Sequence, residues 1–163
     1  MMAKQSNHSI NGKKFIPLGW REWVYFPNYN NFSVKAKIDT GASSSALHAT
    51  HVKEYRKKGQ TWIKFRIYQS RDCLHVDTRV TSYKKITNSF GDSEIRPMIQ
   101  MKIRLGNQSW KTEITLTRRT GMTYLMLIGR NSLKKKHIIH SHKSYLTGAD
   151  RNSPSGAVLS IAA

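Results

Sequence analysis

The sequence predicts an all-β fold, a small closed β-barrel with one short C-terminal helix. Apolar and polar residues alternate in one short segment after another, the period of a strand with one buried face. These segments recur roughly every ten residues with turn signals between them, a spacing that suits a closed or nearly closed barrel. The 163 residues, with four Trp and an apolar fraction of 38%, suit one domain with a real core rather than a disordered chain. No internal repeat is present.

Residues 1–15 are polar, carry no apolar stretch of the kind that starts a secretion signal, and read as a flexible leader. The domain is expected over 16–149. Its first strand runs over 20–26 and ends at Pro27 and Asn28. A second covers 32–38, with Phe32, Val34, Ala36 and Ile38 on one face. Residues 62–68 alternate Trp62, Ile63, Phe65 and Ile67 with polar neighbours, and 75–80, 99–105 and 110–116 repeat the pattern. Gly106 and Asn107 mark a hairpin turn between the last two. Residues 124–128 read as a short, fully buried strand, Gly129-Arg130-Asn131 follows, and the short helix is expected over 132–136. The tail, 150–163, divides into a Ser/Pro/Gly linker and an apolar end over 157–161, which either frays or forms an extra strand against a partner.

Charge is the second strong fact. With 28 Lys and Arg against 9 Asp and Glu, the formal net charge is +19. Such a field attracts polyanions: nucleic acid, an anionic membrane surface or acidic peptides. The basic residues are spread along the chain, with one compact run at Lys134-Lys135-Lys136-His137, which favours a globular domain with a positive face over a basic tail. No apolar run approaches the roughly 20 residues that span a bilayer. Cys73 is the single cysteine, so no internal disulfide framework exists. The expectation is a soluble, cytoplasmic protein.

The chemistry centres on Asp39-Thr40-Gly41, which breaks the 32–38 strand and leaves a carboxylate at its end. Asp is scarce here, which argues against surface filler, although a bare Asp-Thr-Gly also occurs in ordinary turns. Its pairing with Leu127-Ile128-Gly129-Arg130 is decisive. With Asp-Thr-Gly-Ala followed much later by an apolar-apolar-Gly-Arg segment, the sequence resembles the retroviral-type aspartic peptidases, the retropepsins. It is more similar still to a bacterial subfamily long labelled "ATP-dependent zinc protease" and regarded as retropepsin-like, the RimB type. The matching pieces are Gly19-Trp20-Arg21-Glu22-Trp23, Lys35-Ala36-Lys37-Ile38 leading into Asp39, and Ser45-Ala46-Leu47-His48. Further on come Ser89-x-Gly91-x-x-Glu94-x-Arg96, Leu116-Thr117-x-Arg119-x-x-Met122 and Met126 through Arg130. One departure is Tyr83-Lys84, where the subfamily pattern has an Arg-rich pair.

The resemblance implies a retropepsin-like barrel and peptide hydrolysis by two carboxylates that share one proton. One Asp-Thr-Gly per chain then requires a homodimer. Asp39 would be the catalytic carboxylate. Thr40 would tie the two active-site loops together, or is simply a β-former. Gly41 would allow close approach of substrate. Ala42 and Ser43 would orient the loop or touch substrate, and Arg130 would orient the loop or the dimer contact. A flap is expected over 87–94, including Ser89, Gly91 and Glu94. The subfamily's association with ligases that add glutamate implies an acidic, Glu-rich peptide substrate. Arg79, Lys84, Lys85, Arg96 and Arg119 are the candidate carboxylate-binding cations, each alternatively a solvated surface charge.

No cofactor is expected, and no phosphate-binding Gly-x-x-x-x-Gly-Lys is present. His48, His51, Cys73 and His75 do not fall at familiar zinc spacings, and no metal site is expected. The rival readings are a non-catalytic basic barrel that holds acidic tails, a nucleic-acid-binding barrel in which Tyr25, Tyr29 and Tyr68 stack on bases, and a zinc hydrolase.

Overall fold

Pairing, more than alternation, decides where the strands lie in the computed structural model, which describes residues 8–118, 123–134, 136–148 and 158–160. In chain order the strands are β1 (His8–Ile10), β2 (Lys13–Gly19), β3 (Arg21–Phe26), β4 (Phe32–Ile38), β5 (Ser45–His48), β6 (Thr50–Lys57) and β7 (Gln60–Gln69). They continue as β8 (Asp72–Arg79), β9 (Ser82–Thr87), β10 (Ser93–Leu105), β11 (Gln108–Thr117), β12 (Met126–Ile128), β13 (His137–His140) and β14 (Val158–Ser160). The fold is all-β, and the described residues hold no α-helix.

Six strands form a ring in the order β3–β4–β12–β5–β11–β10, with β9 attached to β10 outside it. The ring closes from β10 back to β3 at a single register position, Arg104 opposite Tyr25, so the barrel is pinched at this seam. A second sheet, β14–β8–β7–β6, packs on the same core, and β1–β2–β13 forms a third. Phe26, Phe32 and Phe65 are among the largest fully buried side chains, each worth about 1.5–3 kcal/mol of hydrophobic stabilisation. They meet Ile63, Ile99 and Met126 in one cluster that joins the ring to the second sheet.

Four expectations need correction. Residues 8–15 are not a flexible leader: β1 and β2 form a hairpin about Asn11-Gly12, whose φ angles of 49° and 75° are those a two-residue primed turn requires. The helix expected over 132–136 is instead one 3₁₀ turn, Arg130–Ser132. It cannot propagate because the Lys134 N–H donates to Nδ1 of His137 and the chain then pairs as β13 with β2. In the C-terminal segment, β14 pairs with β8 of its own chain, parallel, rather than fraying or reaching a partner. Tyr25 and Tyr29 are buried, with Tyr25 beneath the Arg104 guanidinium, so of the three stacking candidates only Tyr68 reaches solvent. No described helix is long and apolar enough to cross a membrane.

Candidate active site

The short strand β12 places the site. It runs parallel to β4, with Met126 beside Ala36 and Ile128 beside Ile38, and antiparallel to β5, with Met126 beside Leu47. Threaded between them, it delivers Gly129 next to the residue that follows β4, which is Asp39. The Asp39 N–H donates to the Ile128 carbonyl at 2.9 Å. The next residues of both segments then bond each other: Arg130 N–H to the Ala42 carbonyl and Asn131 N–H to the Ser43 carbonyl, each at 2.9 Å. The Arg130 guanidinium donates to the Thr40 carbonyl at 2.8 Å. Within the loop, the Gly41 N–H donates to Oδ1 of Asp39 at 3.1 Å, the local turn that short carboxylates make with their own backbone.

Gly129 is dictated by this crossing. A Cβ there would stand 2.5 Å from the carbonyl carbon and oxygen of Ser44. Its N–H donates to Oγ of Ser45 at 3.0 Å. That hydroxyl belongs to a buried cluster, 2.5 Å from Oγ of Ser132, which in turn lies 2.7 Å from Oγ1 of Thr112. Trp110 Nε1 donates to the Ser132 carbonyl, and Thr115 Oγ1 to the Ser45 carbonyl. Buried hydroxyls that satisfy one another this way cost little and fix their strands in one arrangement.

Over the loop stands the β9–β10 hairpin. Between them lies an open cleft of about 570 Å³. One wall is Gly41, Ala42, Ser43 and Ser44. The other carries Lys84, Lys85 and Arg96, together with Asp92 and Glu94. Lys84 and Arg96 are cross-strand partners. The Lys84 ammonium donates to Oγ of Ser44, a direct tie from hairpin to loop, and Arg96 pairs with the Glu94 carboxylate. At the tip, the Asn88 side-chain oxygen accepts from the N–H groups of Phe90 and Asp92, and Gly91 takes φ 85°. Phe90 is 89% exposed and Ile95 72% exposed.

Of the residues singled out from sequence, Gly41, Ala42, Ser43, Lys84, Lys85, Glu94 and Arg96 line the cleft. Asp39, half-buried, and Thr40, exposed, sit at the base of the loop outside the lining. Arg130 lies behind the loop, on Thr40. Ser89 and Gly91 occupy the exposed tip of the hairpin, away from the lining. Arg79 is elsewhere, on β8 opposite Trp62, and Arg119 lies outside the described residues. Ser44, Ser45, Thr112 and Ser132 were not singled out for a role at the site; no hydropathy signal marks a buried hydroxyl whose partner is 87 residues away. Among the described residues, no group of three or more His, Cys, Asp and Glu side chains is arranged to hold a metal ion.

Comparison with known proteins supplies the lineage. A protein from Shewanella pealeana named "Probable alpha-L-glutamate ligase" is 32% identical over 143 residues, covering 85% of this chain and 31% of that protein. Another of the same name, from Desulfotalea psychrophila, is 32% identical over 131 residues, covering 78% of this chain and 28% of its own. The chain thus spans about a third of the length of the curated relatives it matches. A crystal structure of a Legionella pneumophila protein of unknown function shares the fold, with a TM-score of 0.68 at 23% identity over 80% of this chain and 97% of that one. The sequence model of the RimB-like family, described as retropepsin-like aspartic endopeptidase RimB, matches residues 17–149. With the Asp-Thr-Gly loop and the Gly129-Arg130 segment locked together as they are here, the chain belongs to that family of retropepsin-like aspartic endopeptidases.

Proposed function

We propose that this chain is an aspartic endopeptidase that hydrolyses acidic, Glu-rich peptide extensions with a carboxylate dyad formed by two copies of the chain. The observation that carries the reading is the joining of an Asp-Thr-Gly loop to a cleft walled by Lys84, Lys85 and Arg96. One Asp-Thr-Gly occurs in 163 residues, so the second carboxylate comes from an identical subunit across a two-fold axis.

Two carboxyl groups held a few ångströms apart keep one proton between them. The ionised member takes a proton from water as its oxygen attacks the scissile carbonyl carbon. The protonated member donates to the carbonyl oxygen, and the C–N bond breaks as the amine leaves protonated. Asp39 supplies one such group from each chain. Arg130 holds the Thr40 carbonyl, so the loop that presents the carboxylate does not reorganise during the reaction.

The cleft cations suit consecutive side-chain carboxylates, with Arg96 able to engage one through two parallel N–H donors. The relatives' name favours the same substrate class: a domain joined to a glutamate-adding enzyme meets glutamate-rich chains. That name also favours a second reading, a module that holds such extensions without cutting them.

The test is hydrolysis of a Glu-extended peptide by wild type and Asp39→Asn, with and without chelator, across pH. Asparagine keeps an acceptor for the Gly41 N–H, so the variant should fold normally. Its turnover should fall by at least about 10³-fold, with wild type indifferent to chelator and governed by one shared proton. Wild type that binds the peptide but never cuts it decides for the holding module; equal cutting by both proteins removes Asp39 from the chemistry.

A further inference from the structure

The cleft uses three cations of a chain whose net charge is +19, and a second concentration of positive charge lies on a different sheet. In β7, Ile63, Phe65 and Ile67 are buried, so Trp62, Lys64, Arg66 and Tyr68 project from the opposite face. Cross-strand register extends that face in both directions. Tyr55 and Arg79 flank Trp62, Lys53 and Asp77 flank Lys64, and His75 lies beside Arg66. Lys57 completes it at the end of β6, its ammonium 4.5 Å from the Trp62 ring centroid, while that of Lys64 is 5.1 Å from the Tyr55 ring. The face therefore carries five lysines and arginines and three aromatic rings against one carboxylate. That carboxylate, Asp77, is already engaged by the Tyr55 hydroxyl at 2.6 Å.

We propose that the solvent face of β6–β7–β8 docks single-stranded nucleic acid, with bases stacked on Trp62, Tyr55 and Tyr68 and phosphates held by Lys53, Lys57, Lys64, Arg66 and Arg79. Three features select this occupant. A lysine laid over an aromatic ring is a phosphate ligand placed beside a stacking surface, the combination that sequence-tolerant single-strand binders use. An acidic peptide satisfies the cations but has no flat base to cover the rings. A membrane surface favours protruding apolar side chains, and the most exposed of these, Phe90 and Ile95, belong to the β9–β10 hairpin. From Trp62 to Tyr68 is about 20 Å along the strand, in keeping with a site of several nucleotides. The surface is separate from Asp39, so the inference stands whether or not the chain cuts peptides.

The experiment is fluorescence anisotropy of a labelled oligouridylate of about 12 nucleotides with the full chain, over salt from about 50 to 200 mM. Wild type should bind with a steep salt dependence. Trp62→Ala should weaken binding about tenfold with its salt slope unchanged, because it removes stacking and no charge. The pair Lys64→Gln and Arg66→Gln should flatten the log–log slope by about 1.4, two phosphate contacts at about 0.7 each. Peptide hydrolysis should be the same in all of them. Should Trp62→Ala melt early, Tyr68→Ala, whose ring is 41% exposed, carries the stacking test instead. No binding, or ring variants that bind as wild type does, overturns the proposal and leaves net charge alone. Equal, ring-dependent binding of polyglutamate or of phosphatidylserine vesicles overturns it in favour of those partners.

Discussion

The floor and the roof of the cleft are built on opposite terms. The floor, residues 39–44, is tied at Asp39, Thr40, Ala42 and Ser43 to residues 128–131, three of these bonds being backbone to backbone, and a buried hydroxyl cluster stands behind it. The roof, the β9–β10 hairpin, pairs only with itself beyond Arg96, and its tip is held by bonds within residues 88–92. A preorganised floor would cost no rearrangement in the proposed reaction at Asp39. A roof with few outside contacts is the part free to move, as the proposed function would need it to over a substrate. The sole side-chain hydrogen bond described between them, Lys84 on Ser44, is made by a long, flexible side chain that is easily redirected.

Glycine substitutions separate the two most sharply. Gly129→Ala puts a methyl group into the Ser44 backbone, which cannot swing away, and should cost about 3 kcal/mol or more, read as a lower urea midpoint. It should also abolish the proposed hydrolysis, because any accommodation shifts the Asp39 loop. An unchanged midpoint would mean that the floor yields, and the contrast with the roof would collapse.

Gly91→Ala is the matching change above. Nothing lies within 4 Å of the added methyl group, and the only penalty is a left-handed φ of 85°. The expected cost is about 1 kcal/mol, confined to the hairpin and visible as faster amide exchange over residues 88–92. If KM rises while kcat holds, the tip's role lies in gathering substrate and not in the chemical step. A global loss of stability as large as that of Gly129→Ala would show the roof to be part of the same cooperative unit.

The same contrast explains what could be read from sequence. The β4 strand and the loop after it are legible because a half-buried strand alternates and its interruption by Asp39-Thr40-Gly41 is abrupt. β12 is legible as a buried apolar run. β6 and β9 are not: most of their residues face solvent on both sides, so neither shows a period, and their pairing is imposed by β7 and β10. The β1–β2 hairpin had a local signal in Asn11-Gly12, but the polar composition around it points to a leader. The cleft cations are visible as charges only; which of Arg79, Lys84 and Arg96 share a wall depends on register, and register placed Arg79 on the other sheet. The Ser45–Ser132 contact carries no sequence signature at all, since either serine alone reads as a surface residue.

Acid offers the mildest way to loosen the floor without touching the roof. His137 lies behind the 3₁₀ turn that follows Gly129, its ring tilted against Trp110, whose indole N–H holds the Ser132 carbonyl. Burial, and then the charges of Lys136 and Lys134, push its pKa below the ordinary histidine value of 6.5, outweighing the opposing bond from the Lys134 backbone. The folded state thus prefers the neutral ring, and the unfolded chain binds the proton more readily. Stability from this group is intact above about pH 6.5 and is lost as pH falls from there through the lowered folded value. Melting temperatures of wild type and His137→Gln should therefore converge on acidification, the variant lacking that part of the acid-side decline. Parallel curves would clear His137, and an acid-induced rise in exchange at the hairpin tip before residues 128–134 would place the weak point in the roof instead.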